Sequence, residues 1–116
     1  MSDRELLELA AKAAGIKVDR VLLRSDGSVD QFNVRSPDGT VGGWNPLASW
    51  GTGDALSLAV KLRIDLDFDE MNPFVEAYRK EPDGASFCAD EALTGDPDAA
   101  TCRAIVRAAA EIGRQA

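Results

Sequence analysis

The chain has 116 residues, 45% hydrophobic and 28% charged, an apolar content that can bury one core and that speaks against general disorder. Thirteen basic residues stand against twenty acidic ones, a formal net charge of −7, which argues against an extended nucleic-acid footprint while leaving room for a local Arg cluster. No histidine occurs, so the commonest general base and the commonest nitrogen ligand for metals are missing, and serine-triad and zinc-hydrolase chemistry fall with them.

The polar start Met1-Ser2-Asp3-Arg4-Glu5 lacks an apolar leader, and no run approaches membrane-spanning length, so a cytoplasmic protein without a membrane partner is expected. Ser2 and Glu5 have capping-box spacing, Leu6, Leu9, Ala10 and Ala13 recur at helical intervals, and Gly15 suits a helix end; the first helix should cover about residues 3–14. Val21-Leu22-Leu23, the turn Ser25-Asp26-Gly27-Ser28, and the returning Val29, Phe32 and Val34 predict a hairpin. The uninterrupted Val21-Leu22-Leu23 suggests some cover on both faces. Ser36-Pro37-Asp38-Gly39 reads as a second turn, and residues 40–44 as a third short strand.

Thr52 or Asp54 can cap a second helix over residues 52–62. Its apolar stripe is read as Ala55, Leu56, Ala59, Val60 and Leu62, with Leu56 and Val60 expected to be buried. Ile64 to Asp69 then alternates, placing Ile64, Leu66 and Phe68 on one face and Asp65, Asp67 and Asp69 on the other. Residues 74–80 and 86–93 flank Glu81-Pro82-Asp83-Gly84 and predict a second hairpin. Asp96-Pro97 starts a last helix over about 97–112, with Cys102, Ile105, Val106, Ala109 and Ile112 inside and an end near Gly113. The whole reads as one α+β domain over residues 1–116, a layered sandwich with a mainly antiparallel sheet, in the order α-ββ(β)-α-β-ββ-α. Cys88 and Cys102 are expected to be free thiols, small apolar residues without redox or metal duty.

Loops usually carry function, and Trp44-Asn45-Pro46-Leu47 with Trp50 and four glycines, Gly42, Gly43, Gly51 and Gly53, gathers both tryptophans of the chain just before a helix. One reading is a ligand site in which Trp44 or Trp50 supplies an indole face, Asn45 a polar anchor, and the helix start at Asp54 free amides for an anionic group. The other is a packing corner: tryptophans plugging the sheet-helix junction, Asn45 satisfying turn amides, and Asp54 compensating the positive helix end. Buried aromatics are mostly packing residues, which weighs toward the corner, and the two readings are compatible. The Asp65, Asp67 and Asp69 row spreads its carboxylates about 7 Å apart along a strand, so it reads as a charged edge and no metal is expected. Arg103, Arg107 and Glu111 read as a salt-bridged helix face, with Glu111 pairing Arg107.

In Ala13-Ala14-Gly15, Trp44-Asn45-Pro46-Leu47, Gly53-Asp54-Ala55-Leu56 with Leu58-Ala59-Val60-Lys61-Leu62, and Ala104 to Ala110, the chain resembles the phage ABA sandwich domain family of tailed phages and prophages. The aromatic-Asn-Pro step followed by a helix beginning Asp-Ala is the most specific block. The Gly-rich Ala48 to Gly53 stretch departs from the family's compact acidic turn. The resemblance implies helices layered on a sheet, a phage or prophage origin and hence the host bacterial cytoplasm, and no activity, catalytic residue or cofactor.

The functional expectation is a non-enzymatic phage accessory protein that binds a small host or defence molecule, or a host protein, through the Trp-Asn-Pro loop. The alternative is a structural or assembly protein that self-associates as a homo-oligomer, the loop being only a corner. Exposed ring surface beside a pocket separates the first from the second.

Overall fold

Helix α3 (Pro97–Gln115) is the element against which most of the others pack, and it presents small residues to do so. Ala104, Ile105, Val106, Ala108 and Ala109 are fully buried on it. Helix α1 (Asp3–Ala14) lies parallel to it: Arg103 reaches Asp3 at 3.1 Å near one end, and Gly113 abuts the backbone of Leu9 and Ala13 near the other. A Cβ at Gly113 would run into the Leu9 carbonyl oxygen. The helix expected to stop near Gly113 therefore continues to Gln115, and the glycine serves close backbone approach instead of termination.

The computed structural model describes residues 2–35, 38–69, 71, 73–81, 86–93 and 95–115. At the start of α1, Ser2 Oγ accepts the Glu5 N–H at 3.2 Å, and its hydroxyl donates to the Glu5 carboxylate. Gly15, at φ 69°, closes the helix by donating to the Lys12 carbonyl while Ile16 donates to that of Ala11. Asp96 caps α3 by accepting from the amides of Asp98 and Ala99, with Pro97 in the first turn.

Helix α2 (Thr52–Leu62) departs from expectation in two ways. Neither Thr52 nor Asp54 caps it; the N-cap is Gly51, without a side-chain bond. Its buried residues are Ala55, Leu58, Ala59 and Leu62, an i, i+3, i+4, i+7 stripe facing α3. Leu56 and Val60, expected inside, lie about 100° further round the helix and are 49% and 79% exposed. The helix is covered on one side only.

Strands β1 (Lys17–Leu23), β2 (Val29–Arg35) and β3 (Val41–Trp44) form one antiparallel sheet in that order. β1 is an edge strand; Val21 and Leu22, on opposite faces, are each half-buried and Leu23 is exposed, so the cover on both faces inferred from their apolar run is partial. The pairing skips Asp30, as Leu22 faces Gln31 and Leu23 faces Val29. That bulge brings Val29 and Phe32, an odd number of residues apart, both into the core. A second sheet, β4 (Asp65–Phe68), β5 (Phe74–Lys80) and β6 (Ser86–Ala92), packs Val75, Ala77 and Ala89 toward α3. The α+β order is the expected one, with the antiparallel pairing divided between two three-stranded sheets. Of the expected turns, Ser36 and Pro37, and residues 82–85 of the second hairpin, lie outside the described residues.

The expected charged face of β4 extends across its whole sheet: Asp67 pairs with Glu76 and Glu76 with Asp90. Desolvation, the charge of Asp90 and its hydrogen bond, and the charge of Asp67 hold the Glu76 carboxyl above the usual glutamate range. Both thiols are free; Cys88 is exposed on β6, and Cys102 is buried on α3, where burial pushes its thiol up despite a hydrogen bond with Thr52.

Two expectations follow from this packing. Ile105→Ala should lower the unfolding free energy by about 2–4 kcal/mol through lost transfer energy and a residual cavity, whereas Val60→Ala should stay within about 0.5 kcal/mol, as measured by urea denaturation. Because the raised carboxyl favours its protonated form in the fold, its contribution is fully present below the ordinary glutamate pKa and is lost as pH rises through the folded value. Glu76→Gln should therefore melt higher than wild type at pH 7, and the gap should close as the pH is lowered below the carboxylate range.

Candidate functional site

The Trp-Asn-Pro step is held by an interlocked set of backbone and side-chain bonds. Asn45 is 3% exposed, and each of its polar groups has a protein partner. Its Nδ2 donates to the Asp30 carbonyl at 2.9 Å, its Oδ1 accepts the Leu47 N–H at 3.0 Å, and its backbone N–H donates to Asp54 Oδ2 at 3.1 Å. Its carbonyl accepts from Ala48, whose own carbonyl accepts from Gly51. The Asp30 carbonyl belongs to the bulged residue of β2 that the sheet register skips. One side chain thus ties the bulge, the turn and the start of α2 together.

Gly51 completes the corner, since a Cβ there would collide with the Asn45 carbonyl oxygen. Pro46 is fully buried. Trp44, 5% exposed, is the cross-strand partner of Phe32, their ring centroids 6.1 Å apart and the planes tilted by 37°, an arrangement within the range where aromatic pairs attract. Asp54 is half-buried and receives the Asn45 amide in place of capping its own helix. Trp50 stands apart, 53% exposed. Of the four residues singled out in the loop, the structure brings Trp44, Asn45 and Asp54 together and leaves Trp50 on the surface.

A cavity of about 330 Å³ opens beside this corner, between β2–β3 and the flank of α2 that carries Asp54, Ser57, Leu58 and Lys61. Trp44 and Asp54 border it, together with Val34, Gly42, Leu58 and Ile16, and its far end carries Arg35, Thr40 and Lys61. Asn45 faces a different depression, against the start of α1 and the β1–β2 turn, and Trp50 borders neither. With its amide already satisfied, Asn45 acts as the hinge-pin of the corner, and the polar contacts open to a ligand come from other side chains.

Gly42 lines the cavity without projecting a side chain into it. It sits on β3 opposite Val34, on the same face as Trp44. A Cβ built there meets nothing within 4 Å, and its φ is not positive. Neither backbone conformation nor close packing demands a glycine at this position, unlike at Gly51 or Gly113. Arg35 directs two guanidinium nitrogens to Asp19 Oδ2, at 3.1 and 2.9 Å. Among the described residues, no ion pair involves Lys61 or Asp54.

The sequence reading missed Lys61, and it grouped Gly42 with the loop glycines without its place on the face of β3 beside the cavity. Lys61 was within reach, being seven residues from Asp54 and so on the same side of α2. Gly42 needed the strand register, which only the paired structure supplies. On α3, Arg103 and Arg107 are salt-bridged as expected but to other partners: both meet Glu91 of β6, and Arg107 also donates to the Asp90 carbonyl, while Glu111 pairs with Arg114. Among the described residues no cluster of His, Cys, Asp or Glu suits a metal ion, and no helix is long and apolar enough to cross a membrane. No protein-family profile matches the chain, and neither the curated proteins nor the solved structures yield a match.

The two tryptophans should separate cleanly on truncation. Trp44→Ala should cost about 3–5 kcal/mol of unfolding free energy, as for other large buried aromatics, and Trp50→Ala should stay within about 0.5 kcal/mol, both measured by chemical denaturation.

Proposed function

We propose that the protein acts by binding, capturing a small molecule in the cavity between β3 and α2, with the Trp44-Asn45-Pro46 corner as the wall that shapes it. The observation that carries this reading is Gly42. A strand glycine with free space beyond it and no conformational need for positive φ leaves open part of the cavity that a side chain would enter. A chain selected only for packing gains stability by filling such a space. A lining that mixes the apolar Val34, Leu58 and Trp44 with the polar Asp54, Ser57 and Lys61 suits a small-molecule ligand. The reading involves capture without covalent chemistry. With the sequence resemblance to the phage ABA sandwich family, it describes a phage or prophage accessory protein that holds a small host or defence molecule in the bacterial cytoplasm.

A second reading, self-association, is favoured by one observation: Leu56 and Val60 form an exposed apolar strip one turn long on α2. Native mass spectrometry and sedimentation velocity test the two together. After incubation with a bacterial small-molecule extract, the wild type should retain one discrete adduct. Gly42→Phe, whose ring enters the free space, should fold with an unchanged or higher melting temperature and retain none. Wild type without an adduct would sink the capture reading. A wild-type dimer that Val60→Lys converts to a monomer would support self-association.

A further inference from the structure

We infer that the ligand class of this cavity is dipolar: a small molecule with an anionic group at one end, a cationic group at the other and an apolar stem between them. The inference rests on the capture reading above and adds the ligand's chemistry. Asp54 and Lys61 both border the cavity from α2. They are seven residues apart, which at 1.5 Å per residue is about 10 Å along the helix axis. One end of the cavity thus carries a carboxylate and the other an ammonium, with the Arg35 guanidinium beside it.

These opposite charges are too far apart along the helix to satisfy each other, and neither has an ion-pair partner among the described residues. Between them the lining carries Leu58 and Val34 together with the Ser57 hydroxyl, with Gly42 and Trp44 on the strand side. A ligand charged at one end only would leave the opposite end of the cavity facing an unmatched charge. A ligand with both charges, spaced by a short aliphatic stem, matches each end and covers Leu58 and Val34 between them.

Three probes of equal chain length separate the terms: 6-aminohexanoate carries both charges, hexanoate only the anion and hexylamine only the cation. Isothermal titration calorimetry on the wild type should show 6-aminohexanoate binding at least tenfold more tightly than either of the others. Lys61→Met should reduce its affinity to about that of hexylamine. Asp54→Asn, which keeps an oxygen to accept the Asn45 amide, should reduce it to about that of hexanoate. Lys61 is exposed, so its variant should fold as the wild type does, which a melting curve checks. Equal affinities for the three probes, or a 6-aminohexanoate affinity untouched by Lys61→Met, would overturn the dipolar assignment. If hexanoate or hexylamine binds as tightly as 6-aminohexanoate and Gly42→Phe abolishes that binding, the cavity remains a capture site and only its ligand class is wrong. If none of the three binds while the extract still gives an adduct that Gly42→Phe loses, the dipolar assignment falls and the capture reading stands; if the extract gives no adduct, the capture reading falls and the dipolar assignment with it.

Discussion

The backbone contact between α1 and α3 is the constraint from which the rest of the arrangement follows. Two helices approach this closely only where side chains are absent or small, and Gly113 against Leu9 and Ala13, with Ala10, Ala11 and Ala14 buried alongside, supplies that. Dispersion between well-packed surfaces falls off steeply with separation, so a contact lined by alanines gains by closeness what it lacks in side-chain area. The two helices run parallel because Arg103 meets Asp3 at one end while Gly113 meets Leu9 at the other. With α1 fixed on one side of α3, β5 and β6 take another and α2 lies against both helices. The Arg103 and Arg107 side chains that reach Glu91 then bind the second sheet to α3 from outside.

Placing the first sheet is a separate problem, and Asn45 solves it. Antiparallel sheets position themselves by their buried face, but β1 buries little and β3 has only four residues. The bulge at Asp30 gives up one ladder position, and the carbonyl it frees is taken by Asn45 Nδ2. The same residue uses its amide N–H to hold Asp54 at the start of α2. A buried amide left unpaired would cost on the order of 1–3 kcal/mol, so a network in which every group is matched admits few alternatives. The distance from β3 to α2, and hence the width of the cavity, is set by this corner.

Much of the fold was legible because its signals are local. Ser2 with Glu5, Asp96 with Pro97, and the turn residues around Gly27 mark ends that depend on nearby chain alone, and those elements fall where the sequence puts them. What the sequence obscured depends on partners distant in the chain. Leu56 and Val60 match a helical repeat as well as Leu58 and Leu62 do, and only the position of α3 decides which stripe is covered. Gly113 reads as a helix stop until α1 is placed against it. Asp54 looks like a cap because it precedes an apolar helix, yet a strand nine residues earlier claims its carboxylate through the Asn45 amide.

The candidate site was legible as a place and not as a set of roles, for a physical reason. Asparagine is conspicuous in a loop because its amide is costly to bury without partners, and tryptophan because its large ring needs a packed surface, and here both are supplied by the protein itself. Residues whose hydrogen bonds are already made have little left to offer a ligand. On the proposed capture reading, the contacts open to a ligand therefore come from the free side of Gly42, from Lys61, and from the charge of Asp54, which has no ion-pair partner among the described residues although one of its oxygens accepts the Asn45 amide. The corner and the pocket are thus not competing descriptions of one loop. The corner spends its polar groups on rigidity, and that rigidity keeps the cavity beside it from collapsing onto a strand too short and too glycine-rich to hold its own position.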